Sequence, residues 1–231
     1  MEIDRKSIMQ PKILFEDNHL LVVVKPQGIP VQKAESSNDD FQSILKDYLK
    51  KKYMKPGNVF LGIVHRLDQP VGGVMVFAKT SKAASRLSEQ IRQNIWKKQY
   101  LAVVDGVPKQ KSGVLEDYLV KNEATNEVYV SKKENPKAKF ARLSYETLES
   151  KNGKSLLKIT LETGRAHQIR VQLSSRGLPI VNDHKYNKNA KLGSNIALWA
   201  YSLEIEHPVT KEKLVFSEEM PENISSKILG K

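Results

Sequence analysis

The sequence predicts an α+β fold, on three observations. Short apolar runs of strand length recur along its 231 residues; two longer segments carry helical rather than alternating periodicity; and Asn152-Gly153 joins two strand-like runs with a hairpin signal. Hairpins suggest antiparallel pairing, although strand order cannot be read from the chain.

The first strand begins near Ile13, and Leu20 to Val24 forms a second that ends at the turn Lys25-Pro26-Gln27-Gly28. Phe41, Ile44, Leu45, Tyr48 and Leu49 then fall at helical spacing, after the capping and acidic residues Asn38-Asp39-Asp40 and before Pro56-Gly57. Lys50, Lys51, Lys52 and Lys55 crowd the end of this helix, where cations suit its dipole; a solvated face is favoured over an RNA contact. Val59 to Val64 and Gly73 to Ala78 read as two strands joined by a polar turn that contains His65-Arg66-Leu67-Asp68. Thr80-Ser81 starts a second helix whose apolar face runs through Ala84, Leu87, Ile91 and Ile95.

Lys97 to Val104 is a strand with Tyr100 near its start, turned at Asp105-Gly106. From Val107 to about Ala138 the composition is polar and lysine-rich, which predicts a peripheral excursion of short strands and loops. Arg142 to Glu149 and Ser155 to Leu161 form the hairpin pair. Glu162 to Leu173 passes from strand to short helix, closed by Gly177 and Pro179; Gly164, Arg165 and Arg170 there suit an anion. Ile196 to Glu206 and Leu214 to Phe216 are closing strands.

Charge and cysteine content narrow the function. Lys and Arg number 38 against 26 acidic residues, a formal charge of +12, which favours a polyanionic partner through phosphate neutralisation. The apolar runs are too short to span a bilayer, and an amino terminus of mixed charge without an apolar stretch argues for a cytoplasmic protein. The absence of cysteine excludes disulfides, thiolate zinc sites and cysteine nucleophiles. His65 and His167 lack the spacing to further ligands that a metal site needs, so they read as structural.

Three segments in this order carry the chemistry. His65-Arg66-Leu67-Asp68, Lys98-Gln99-Tyr100-Leu101-Ala102-Val103-Val104 and Thr163-Gly164-Arg165-Ala166-His167-Gln168-Ile169-Arg170 closely resemble the three motifs of the RluA-type RNA pseudouridine synthases. Lys25-Pro26-Gln27-Gly28 resembles their amino-terminal turn, and Gly177-Leu178-Pro179-Ile180 with Asp183 and Tyr186 resembles the segment after their third motif. The resemblance covers roughly residues 13 to 216. It departs from the family pattern at Gly72, Asn182 and Trp199, where serine, glycine and histidine are common; these positions bear on specificity more than on activity.

The resemblance implies the pseudouridine synthase fold, a mixed, mostly antiparallel sheet with flanking helices and a central cleft, in one catalytic domain; family members often carry an S4-type amino-terminal domain, for which a first strand beginning near Ile13 is expected to leave no room. It implies an isomerase that detaches uracil from its ribose, turns it and rejoins it through carbon, in structured ribosomal or transfer RNA. Asp68 matches the family nucleophile, for which attack on the sugar, attack on the base and a glycal route remain open. Tyr100 matches the tyrosine that lies against the base, and Arg170 the arginine that pairs with the aspartate. Arg66 is placed to fill the space that an extruded base vacates. Arg165, His167 and Gln168 bind the RNA backbone or brace the loop. Neither metal nor cofactor is expected, since an internal rearrangement needs no redox partner or group donor, and the family implies a monomer. Two other readings compete: a non-catalytic RNA-binding factor, and a retaining hydrolase with Glu162 or Asp183 as the second carboxylic acid.

Overall fold

The computed structural model describes residues 10–33, 40–222 and 224. They contain eleven strands and three helices, gathered in two compact units: the described residues up to 96 with 203–218, and residues 97–202 with the described residues from 219 on. The predicted cap residues Asn38 and Asp39 and the extreme amino terminus lie outside the described residues.

In the first unit, β1 (Lys12–Glu16) pairs antiparallel with β2 (Leu20–Lys25), and β2 pairs antiparallel with β4 (Gly72–Ala78) from Leu20↔Ala78 to Lys25↔Gly73. All seven residues of β4 are buried, as are five of the six in β2, which is why both read as continuous apolar runs rather than alternating ones. Helix α1 (Phe41–Lys52) is capped by Asp40, whose carboxylate accepts the Ser43 N–H at 2.9 Å. Helix α2 (Ser81–Arg92) is capped by Thr80, whose hydroxyl accepts the Ala83 N–H at 3.1 Å. It buries Ala83, Leu87 and Gln90, and it ends before Ile95, one turn earlier than the apolar spacing predicts. Leu20, Val22, Val74, Val76, Ala83, Leu87 and Trp96 form this unit's core with Leu203 and Ile205, near the end of β10 (Leu198–Glu206), while β11 (Lys213–Ser217) contributes Leu214 and Phe216.

One predicted strand is much shorter than expected. The segment before Asp68 makes only the two-residue β3 (Gly62–Ile63), because the Leu61 carbonyl upstream is taken by the Gln42 side-chain amide at 2.7 Å instead of by a strand.

The second unit is built on β5 (Lys97–Asp105), β6 (Ser112–Asn122), β7 (Glu127–Ser131), β8 (Lys139–Lys151) and β9 (Lys154–Leu161), ordered β5-β9-β8-β6-β7 and antiparallel throughout. The Asn152-Gly153 turn has φ of 53° and 72°, the doubly positive pair that a two-residue hairpin demands. The lysine-rich excursion is more regular than its composition suggests. Strand β6 runs for eleven residues, of which only Leu115, Leu119 and Val120 are buried and five are exposed. Helix α3 (Gln168–Ser174) packs Val171 against Leu119, Val128 and Ala141. Among the described residues no helix is long and apolar enough to cross a membrane.

Candidate active site

The loop that carries Asp68 is fastened at four places within the first unit. His65 accepts the Val76 N–H at Nε2 (3.0 Å) and sets its ring edge-on to Trp96 at 5.1 Å; the Trp96 indole in turn donates to Gln90 Oε1. The Asp68 carbonyl accepts the Val71 N–H at 2.9 Å, which closes a tight turn over Pro70. Gly28 and Gln69 bond reciprocally: the Gly28 N–H donates to the Gln69 carbonyl at 3.0 Å and Gln69 Nε2 donates to the Gly28 carbonyl at 3.1 Å. Gly28 sits at φ 84°, a left-handed value that suits glycine.

The fourth fastening is Lys25. It closes an apolar strand, is fully buried, and donates from Nζ to the carbonyls of Pro26 (2.9 Å), Gln69 (3.1 Å) and Val71 (2.8 Å). Three acceptors match the three hydrogens of an ammonium. Burial pushes the Lys25 ammonium down to about 7, and the opposite charge of Asp68 counters part of that fall. The Lys25 amine thus lies under the Asp68 loop, close enough for its charged form to interact with that carboxylate. The sequence offered one signal for it, a lysine ending an otherwise apolar run, but the same pattern fits a strand end at the surface. Asp68 itself is half-buried and the neighbouring Arg66 exposed, while Leu67 between them is buried.

In the second unit, Arg170 is buried on α3 and grips Asp183 through two parallel bonds, Nε to Oδ2 and Nη2 to Oδ1, both 2.8 Å. Asp183 is wholly buried, and its Oδ1 also accepts the N–H groups of Lys185 and Tyr186. The Arg170 guanidinium lies 5.2 Å from the centre of the Tyr186 ring. Tyr186 holds the next piece in place: its hydroxyl accepts the Val128 N–H at 2.8 Å and meets His167 Nδ1 at 2.8 Å. His167, immediately before α3, adopts φ 49°, an uncommon conformation for a non-glycine residue.

Gln168 is buried and spends its amide inside the protein. Its Oε1 accepts the Thr163 hydroxyl (2.8 Å) and the Arg165 N–H (3.0 Å), and its Nε2 donates to the Arg142 carbonyl (3.0 Å). Of the two roles open to it, bracing the loop is the one these bonds perform. Arg165 is exposed and donates from Nε to the Phe140 carbonyl. Tyr100 is half-buried on β5, in register with Ile159. The anion reading of the third motif gains nothing from the helix terminus, since α3 has only seven residues and His167 supplies no capping bond.

Residues 19–175 match the family model described as RNA pseudouridylate synthase. The chain belongs to the RluA-type branch of that family. The match takes in Asp68, Tyr100, Arg165, His167, Gln168 and Arg170, whereas Asp183 and Tyr186 lie beyond it. An uncharacterized RNA pseudouridine synthase of Bacillus subtilis, YhcT, is 33% identical over 93% of this chain and 70% of its own length. Ribosomal large subunit pseudouridine synthase D of Nitrosomonas europaea is 34% identical over 93% of this chain and 63% of its own, and synthase C of Pasteurella multocida is 34% identical over 99% and 70%. Among solved structures, human RNA pseudouridylate synthase domain containing 4 aligns with a TM-score of 0.79 at 26% identity, covering 95% of this chain and 93% of that one. The family isomerises uridine to pseudouridine in RNA, and the pseudouridine synthase fold expected from the motifs is the fold found.

Proposed function

We propose that this RNA pseudouridine synthase acts on structured RNA, on a uridine extruded from its stack, with Asp68 as nucleophile. The observation that carries the reading is the anchoring of the Asp68 loop: the buried Lys25 amine, bonded to the carbonyls of Pro26, Gln69 and Val71, holds still the turn that presents the carboxylate. Likeness to ribosomal large subunit pseudouridine synthases C and D favours RNA of the large ribosomal subunit over transfer RNA as the substrate.

The reaction balances within the nucleoside. The C1′–N1 bond breaks, the uracil turns, C1′ bonds to C5, the C5 proton leaves and N1 takes up a proton. Asp68 opens the sequence. Tyr100 stacks on the turning base and receives the C5 proton. Arg170 matches the family arginine, and Asp183 holds its guanidinium fork in one orientation. Arg66 props the gap left in the RNA, Arg165 and His167 meet its backbone, and Gln168 keeps their loop in shape.

The retaining-hydrolase reading loses support because Asp183 is wholly buried in its bonds to Arg170, while Glu162 lies against Arg142 at 2.8 Å. The test is tritium release from RNA labelled at uridine C5, with site mapping in cells with and without the protein. Asp68→Asn is expected to abolish release while RNA binding persists. Normal release by that variant would remove Asp68 from the chemistry, and an unchanged RNA phenotype in cells would favour a non-catalytic binding role.

A further inference from the structure

Lys98 begins the second motif and differs from most lysines of this protein. It is half-buried, points to the same face of β5 as Tyr100 two residues on, and pairs in register with Leu161, itself opposite the buried Leu143. No hydrogen-bond or ion-pair partner for its ammonium is found among the described residues, and burial alone, with no opposing charge, lowers its affinity for a proton. Other partly buried cations are partnered: Lys25 by three carbonyls, Lys79 by Glu16, Arg170 by Asp183. A desolvated cation without a partner is costly to keep, and it becomes favourable when an anion arrives. Gly164 lies against the ammonium without a side chain to cover it: a Cβ built there would lie 3.4 Å from Lys98 Nζ.

We propose that Lys98 binds a backbone phosphate of the RNA, admitted over the bare Cα of Gly164 and adjacent to the nucleotide whose base meets Tyr100. The proposal rests on the reading above that RNA is the substrate and that Tyr100 receives the base. It assigns Lys98 to substrate binding and gives Gly164 a physical reason: this glycine has no positive φ to justify it, so its lack of a side chain serves access rather than backbone geometry. A valine there would set methyl groups over the ammonium without removing its charge.

The experiment measures binding of a fluorescein-labelled, uridine-containing RNA stem-loop by anisotropy across a sodium chloride series. The proteins are the wild type, Lys98→Met, Lys98→Arg and Gly164→Val. One lost phosphate contact makes the slope of log K against log salt shallower by about 0.7–0.9 and weakens binding roughly ten- to a hundredfold. Lys98→Met and Gly164→Val are expected to show both effects, and Lys98→Arg to retain the wild-type slope. Lys98→Met is also expected to melt at or above the wild-type temperature, since a buried charge with no partner has been removed. A wild-type slope in Lys98→Met and Gly164→Val overturns the proposal; a lower melting temperature with that slope would make Lys98 a purely structural residue. Should Lys98→Met fail to fold, Gly164→Val decides alone. The slope is an equilibrium quantity independent of tritium release, so an inactive wild-type protein would sink the isomerase reading and an unchanged slope would sink this one.

Discussion

Lys25→Met separates the two things this lysine does. Lowering its pKa from 10.5 to about 7 corresponds to about 5 kcal/mol against the charged form, which the substitution relieves. Against that stand three bonds from a charged donor to the carbonyls of Pro26, Gln69 and Val71, each worth about 1.5–3 kcal/mol. The bonds sum to about 4.5–9 kcal/mol against about 5, so the two offset in part and global stability is expected to fall by no more than about 4 kcal/mol in denaturant titration. The loop has no such compensation. With Gln69 and Val71 released, the Asp68 carboxylate loses its fixed position, and a displacement near 1 Å costs on the order of a hundredfold in turnover. Tritium release should fall by about that factor, with faster amide exchange at Val71, whose N–H closes the turn on the Asp68 carbonyl.

The pH dependence has a definite sign. The unfolded chain keeps the lysine proton up to 10.5 and the folded one releases it at about 7, so between these values the unfolded state binds more protons. Wild-type stability relative to Lys25→Met should therefore rise with pH across that window, at most by about 1.4 kcal/mol per pH unit. Wild-type turnover and unchanged Val71 exchange in Lys25→Met would refute the reasoning.

Arg170→Met strands the wholly buried Asp183 without its partner and should cost about 3–5 kcal/mol in thermal or denaturant unfolding; a change under about 1 kcal/mol would show that the pair is not what holds this segment. Glu16 is pushed up by burial, but Lys52, Lys79 and Tyr53 outweigh that and bring it to about 2. Its contribution to stability is present above 4.5 and lost as pH falls from there toward 2, so Glu16→Gln should flatten the acid limb of the stability profile measured by circular dichroism.

What could be read from the sequence follows from where the information sits. Caps and turns are local, so Asp40, Thr80 and Asn152-Gly153 announced their elements correctly. Strand β6 was hidden because its pairing is made with distant β8 while only three of its residues are buried, leaving a mixed composition that reads as loop. The supposed strand before Asp68 failed for the reverse reason: Val59 and Leu61 are buried, but a side chain from α1 takes the Leu61 carbonyl. In the site, the motif residues were legible through their resemblance to a family. Lys25 was seen only as part of a turn, because its burial depends on Gln69 and Val71, more than forty positions away.

The first unit is assembled from two stretches of chain separated by the whole of residues 97–202. Leu203, Ile205, Leu214 and Phe216 join the core that Leu20, Val76 and Trp96 begin, and Glu206 exchanges bonds with Gln90, the residue that steadies the Trp96 indole against His65. During synthesis Asp68 emerges well before residues 203–216, which complete the support beneath it. A nascent chain therefore carries Asp68 in an unsealed frame until residues 203–216 have been made, and a chain cut short before residue 203 would present the His65–Asp68 loop without the core that supports it.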